Sequence, residues 1–162
     1  RIEGGSLNMT IEKINLDHIV ESTILNLEQE ALKKSIKIES LVDKRIEVQS
    51  DFISLDIIIS NYLNNALAYS PNNSKILITA EEVDKKIKLS VKDEGEGIPE
   101  NYKDRVFERF FRVDKGRSLN QGGTGLGLSI VKNLASTLSC TVGVENLEPK
   151  GASFWIELNK ST

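Results

Sequence analysis

The sequence predicts an α/β sandwich with a mixed sheet. Apolar residues recur at helical spacing in three long stretches, and runs alternating apolar and polar lie between them, some at hairpin-like separation. A length of 162 residues, with 39% hydrophobic and 28% charged, suits one domain with a real core.

Residues 9–16 (MTIEKINL) alternate and read as a strand. Residues 17–34 carry Ile19, Val20, Ile24, Leu27, Ala31 and Leu32 on one face, which predicts a helix with Asp17 as its N-cap. Residues 36–42 (IKIESLV) alternate again, and 46–48 form a further short strand. A second helix covers 51–69 and is stopped by Ser70-Pro71-Asn72-Asn73. Two alternating runs, 75–83 and 86–94, flank Asp84-Lys85 as a hairpin that lacks the usual glycine. Residues 95–122 are irregular, with a short helical patch near 100–110. A helix over 124–138 and two final runs, CTVGVEN and ASFWIEL, complete the pattern.

Composition excludes several function classes. The net charge of −3 and the lack of a dense Lys/Arg stripe argue against a nucleic-acid or anionic-membrane binder. One cysteine, Cys140, excludes an internal disulfide and a multi-cysteine metal site, fits a reducing compartment, and reads as a small core residue. No window approaches the roughly 18 apolar residues of a membrane span. The chain begins at Arg1, which suggests a piece of a longer protein.

Two motifs carry chemistry. Residues 120–134 (NQGGTGLGLSIVKNL) put four glycines directly before a helix. Glycine there costs conformational entropy, and the usual offset is a backbone that must approach a ligand, often phosphate, at a helix N-terminus. The loop is neither a Walker A sequence, since no Gly-Lys-Ser/Thr follows, nor a Rossmann fingerprint, since no strand runs directly into it. A second glycine pair lies in DEGEGIP (93–99), directly after a strand. The helix over 51–69 presents Asn61, Asn64, Asn65 and Ala68 on one stripe, and mid-helix asparagines are poor helix formers that need a reason.

These motifs resemble, in order and spacing, those of the catalytic ATP-binding domain of bacterial two-component sensor histidine kinases. The wider superfamily includes type II topoisomerase, mismatch-repair and heat-shock-chaperone ATPases. NYLNNALAYS looks like the N box, DEGEGIP the first glycine box, VFERFFRVD the F box, GGTGLGLSI the second glycine box, and GASFWIEL the closing strand. The resemblance spans roughly residues 9–158. It implies a Bergerat-type fold, a two-layer sandwich of a mostly antiparallel sheet with about three helices on one face. It also implies that residues 1–8 end a dimerisation helix and linker. Residues 9–160 would then form the ATP-binding domain, with a flexible ATP lid at about 113–122.

Residue roles follow from the same resemblance. Asn65 would ligate Mg²⁺, and Asn61 would hold phosphate or the metal's water shell; both are thereby catalytic candidates, with Arg112 reaching the γ-phosphate. Asp93 would accept from the adenine amino group, with Gly95, Gly97 and Ile98 alongside. Gly123, Thr124, Gly125, Leu126, Gly127 and Leu128 would wrap the triphosphate, and Ser153 on the closing strand joins the ATP-binding set. Tyr69 lines the nucleotide pocket or packs in the core. Phe107, Phe110 and Phe111 read as packing residues. The implied cofactors are ATP and Mg²⁺.

Two positions depart from the family. A lysine that often follows the metal-binding asparagine by three residues is Ala68 here, with Lys115 or Arg117 as possible substitutes. Hydrolysing relatives carry Glu where Asn61 stands, and asparagine cannot take a proton from water. The only histidine, His18, lies in DHIVEST, which does not match a phosphoacceptor setting. The implied reaction is transfer of the γ-phosphoryl of ATP to a histidine on a separate dimerisation domain, for relay to a response-regulator aspartate. The alternatives are a degenerate ATP-sensing or scaffolding module, or another superfamily ATPase or serine kinase. The resemblance further implies a monomeric piece without membrane contact of its own. The domain would be cytoplasmic, in a homodimeric parent that senses at the inner or plasma membrane.

Overall fold

The computed structural model describes residues 2–3, 6–111 and 127–162. The strands, in chain order, are β1 (Ile2–Glu3), β2 (Ser6–Leu7), β3 (Ile11–Asn15), β4 (Lys37–Ser40), β5 (Glu47–Asp51), β6 (Lys75–Val83), β7 (Lys86–Lys92), β8 (Thr141–Asn146) and β9 (Ala152–Lys160). The helices are α1 (Leu16–Asn26), α2 (Glu28–Lys33), α3 (Phe52–Tyr69) and α4 (Gly127–Thr137), with a 3₁₀ turn at Glu100–Tyr102. Among the described residues, β3 to β9 form one mixed sheet in the order β3-β5-β9-β7-β6-β4, with β8 also on β9. The β4–β6 pair is parallel, and the other pairs are antiparallel.

Strand alternation sets the core face. Ile87, Leu89 and Val91 of β7 register against Leu158, Ile156 and Phe154 of β9, and all six are buried. The intervening positions of β7 are polar: Lys88 pairs with Glu145 at 3.0 Å and lies over the Trp155 ring. Helix α3 supplies Leu55, Ile58, Ile59, Tyr62, Leu63 and Ala66 to the covered face. α1 adds Leu16, Ile19 and Val20, and α4 adds Val131 and Ala135. Each fully buried aliphatic side chain contributes about 1.5–3 kcal/mol. The Tyr62 hydroxyl donates to the Trp155 carbonyl at 2.8 Å, which fixes α3 on β9. Burial holds that phenol in its neutral form.

Several local expectations change. The helix over 17–34 is two helices broken at Leu27, where φ is −107° and ψ 10°. The Thr23 hydroxyl donates to Ile19 O at 2.9 Å, a back-bond that bends helices. The N-cap of α1 is Asn15, not Asp17: its Oδ1 accepts from His18 N at 2.9 Å. Asn is the better placed of the two because helical geometry already begins at Leu16. Asp84 supplies the left-handed residue of the β6–β7 hairpin, with φ 59°, so no glycine is needed. Cys140 is half-buried at the core's margin, its Sγ 3.7 Å from Leu138 O, and burial pushes its thiol up. The segment before residue 9, which the resemblance assigns to the end of a dimerisation helix and a linker, carries a short antiparallel pair, Ile2 with Leu7 and Glu3 with Ser6.

One carboxylate ties the incoming chain to α3. Asp51 is 8% exposed; its Oδ1 accepts from Thr10 N, and its Oδ2 from Ser54 N and Ser54 Oγ. Burial alone would raise this carboxyl, but the three hydrogen bonds outweigh it and hold it below its ordinary value. Asp51→Ala removes the N-cap of α3 and orphans Thr10 N, and is expected to destabilise by about 2–3 kcal/mol. Because the folded-state value is depressed, this contribution is present above the ordinary carboxylate range and is lost as pH falls through it. Chemical denaturation from pH 7 to pH 3 should show wild type losing more stability than Asp51→Asn.

Candidate functional site

The strand end of β7 and the start of β9 build one wall. Asp93 follows β7 and is 5% exposed. Its Oδ1 accepts from Gly95 N at 2.9 Å and Ala152 N at 3.2 Å, and its own amide donates to Ala152 O. Among the described residues Oδ2 takes no hydrogen bond, so the carboxylate keeps an acceptor for something else. Burial pushes the Asp93 carboxyl up, against the two amides that lower it.

Backbone approach explains the glycines on this wall. A Cβ on Gly95 would lie 2.7 Å from Tyr69 O, at the end of α3. Gly97 has φ 84°, and a Cβ there would lie 2.8 Å from Asn146 Oδ1. Gly151 has φ 108° and backs directly onto the Asp93 carbonyl. Asn146 holds the turn from below: its Oδ1 accepts from Ile98 N at 2.8 Å, and its Nδ2 donates to Ile98 O at 2.7 Å. Gly151 opens the GASFWIEL motif, whereas Asn146 belongs to no motif of the sequence. An asparagine closing an alternating strand was the available signal for the latter.

Helix α3 builds the second wall. Asn61 Nδ2 donates to Ile57 O at 2.9 Å, which turns Oδ1 toward the start of α4. A Cβ on Gly127 would lie 2.8 Å from that oxygen, so the N box and the second glycine box meet there. Asn65, one turn on, is half-buried and makes no side-chain hydrogen bond among the described residues. Tyr69 is half-buried on the wall of a cleft of about 810 Å³, with Asn64, Ala68 and Gly95, and outside the core cluster. Leu128 and Ile98 are half-buried against the core, and Ser153 is buried on β9 opposite Lys92.

The aromatic segment divides. Phe107 is buried edge-on to Phe154, and Phe111 packs edge-on against Tyr102 at 5.3 Å. Among the described residues Phe110 joins no aromatic pair: it is 63% exposed with φ 64°, and the Arg109 guanidinium lies 5.2 Å from its ring centroid. Arg112, Gly123, Thr124, Gly125, Leu126 and the segment about 113–122, with Lys115 and Arg117, lie outside the described residues. His18 is exposed at the start of α1.

The donor set fits a purine nucleotide with a hard cation. A buried carboxylate with one open oxygen suits an amino-bearing base edge, and close backbone approaches flank it. Among the described residues no group of three or more His, Cys, Asp or Glu could hold a metal. The Asn65 amide oxygen suits Mg²⁺, which keeps several waters and binds chiefly to substrate phosphates.

Asp93→Asn keeps an acceptor for Gly95 N and Ala152 N while removing a buried charge. Its stability is expected to equal or exceed wild type at pH 7, whereas Asp93→Ala orphans both amides and loses roughly 2–4 kcal/mol. A raised folded-state carboxyl means that ionisation costs stability at neutral pH, and this cost is relieved as pH falls. The gap between wild type and Asp93→Asn should therefore shrink on acidification, which melting curves from pH 7.5 to pH 4.5 check.

Comparisons with known proteins bear on the family and the fold. The family described as histidine kinase-, DNA gyrase B- and HSP90-like ATPase matches residues 50–162. The sensor-like histidine kinase SenX3 of Mycolicibacterium smegmatis is 34% identical over 158 residues, which is 98% of this chain and 41% of that protein. The chain thus spans about two fifths of that relative's length. The catalytic domain of histidine kinase ThkA superposes with TM-score 0.83 at 28% identity, covering 94% of this chain and 97% of that one. Another ThkA structure is a complex with the response regulator protein TrrA, with TM-score 0.79 at 26% identity over 94% and 42% of the two chains. Full-length ShkA in complex with AMPPNP gives TM-score 0.84 at 26% identity, over 96% and 32%. No helix among the described residues is long and apolar enough to cross a membrane. With four motifs in order, the shared sheet topology and these likenesses in hand, the chain belongs to the histidine kinase-, DNA gyrase B- and HSP90-like ATPase family, as the catalytic ATP-binding domain of a sensor histidine kinase.

Proposed function

We propose that this domain binds Mg·ATP and presents its γ-phosphoryl to a histidine on a separate dimerisation domain, for relay to a response-regulator aspartate. The observation that carries the reading is the Asp93 carboxylate, with one oxygen engaged by Gly95 N and Ala152 N and the other open. A carboxylate there accepts from the adenine amino group and repels the guanine carbonyl. The AMPPNP complex of ShkA and the TrrA complex of ThkA support the nucleotide and the regulator respectively.

Each residue has a task in this reading. Asn65 holds Mg²⁺ through its amide oxygen, and Asn61 holds phosphate or the metal's water shell beside Gly127. Mg²⁺, when bound, neutralises charge on the phosphates. Gly95, Gly97 and Ile98 form the turn against the base, with Ser153 and Tyr69 at its margins. Arg112 and the amides of residues 123–128 follow from the family resemblance as phosphate contacts. In the transfer a nitrogen–phosphorus bond forms, the bond from the γ-phosphorus to its bridging oxygen breaks, and ADP leaves with the electron pair. The imidazole proton goes to a base outside this chain. Asn61 in place of a glutamate leaves water without a general base, so ATP waits for the histidine. The domain works on the cytoplasmic side of a membrane sensor that is a homodimer.

Mixing the chain with the dimerisation domain of its own parent and γ-labelled ATP in Mg²⁺ tests the reading. The expected product is an acid-labile, base-stable phosphohistidine on that domain, with none on this chain alone. Asn65→Ala should reduce transfer at least about a hundredfold, and EDTA should abolish it. Ala68→Lys should leave transfer intact and tighten ATP binding severalfold. Tight nucleotide binding without phosphohistidine would favour the sensing or scaffolding module instead.

A further inference from the structure

The last turn of α3 bears Tyr69 and follows Asn65, yet it carries no basic residue. A helix C-terminus gathers partial negative charge on unpaired carbonyls, and a cation within the last turn offsets it. Here the cation comes from another element. Lys34, the C-cap of α2, places Nζ 2.7 Å from Leu67 O and 3.5 Å from Ala68 O. Ser70 N donates to Ala66 O at 3.0 Å, and Tyr69 O, the remaining carbonyl of the turn, faces the Gly95 backbone. The tie runs both ways, because Asn73 N donates to Lys34 O at 2.9 Å. Lys34 is half-buried on the cleft that Ala68, Tyr69 and Gly95 also line, so its hydrogen bonds are less screened than those of a surface lysine.

We propose that Lys34 is a positioning residue for the nucleotide site: its ammonium fixes the last turn of α3, and through Tyr69 O the Gly95 turn that closes on Asp93. The effect on affinity rests on the Mg·ATP reading above; the effect on the Gly95 turn does not. Lys34→Met keeps the aliphatic stem and removes the charge, while Lys34→Arg keeps a cation of similar reach. Melting curves first establish that both variants are folded at the working temperature. Amide exchange without nucleotide then reads the turn directly, since Ser70 N bonds Ala66 O and Gly95 N bonds Asp93 Oδ1.

In Lys34→Met, exchange at Ser70 and Gly95 should quicken while Leu89 and Ile156 in the sheet keep their wild-type rates. Calorimetric affinity for Mg·ATP should fall roughly five- to tenfold. Lys34→Arg should recover most of both losses. Unchanged exchange at Gly95, unchanged affinity, a uniform quickening that includes Leu89 and Ile156, or an Arg variant no better than Met would each overturn the proposal. A wild-type chain that binds no Mg·ATP would sink the nucleotide reading, and exchange at Gly95 would then decide the role of Lys34 alone.

Discussion

Asp93 is the contact on which the site depends. A single buried oxygen accepts from the first glycine turn and from the opening residue of β9, and so joins two segments far apart in sequence. Those bonds restrain the carboxylate and so orient the second oxygen. Gly151, at φ 108°, and Gly95, pressed on Tyr69 O, allow the backbone to come that close. The arrangement carries a buried charge whose ionisation burial opposes. A group that only held the fold would do as well as asparagine. The retained charge makes sense if the open oxygen meets a donor on a ligand.

Helix α3 links this wall to the rest. Its N-cap, Asp51, is bonded to the chain entering at Thr10, its middle is anchored on β9 by Tyr62, and its last turn is held by Lys34. Between those three fixed points stand Asn61, against the start of α4, and Asn65, one turn on. A rigid helix presenting amide oxygens suits the positioning of charged phosphates more than acid–base chemistry, since neither asparagine can move a proton. On the proposed reading the chain lends geometry and charge balance, and the nucleophile comes from a partner.

Much of this was legible in the sequence for a physical reason. Strand alternation and helical periodicity report burial directly, so β6, β7, β9 and α3 lie where the patterns put them, within a residue or two. The glycines of DEGEGIP and the asparagine stripe were visible because they contradict local propensity. What stayed hidden depends on tertiary contact. The break at Leu27 follows one turn after the Thr23 back-bond and carries no glycine or proline to mark it. Asn15 outranks Asp17 as a cap by two residues of register. Asn146 and Lys34 act through partners distant in sequence, and Phe110 looks like its two packed neighbours until its left-handed backbone turns it outward.

In the proposed site the open Asp93 oxygen reads an amino group on a purine. Paired calorimetric titrations of the wild-type chain in Mg²⁺, one with ATP and one with GTP, test it most directly. The account predicts saturable heat with ATP and affinity for GTP weaker by at least about fiftyfold, because the guanine carbonyl would face a buried carboxylate. Equal affinity for the two nucleotides would contradict it.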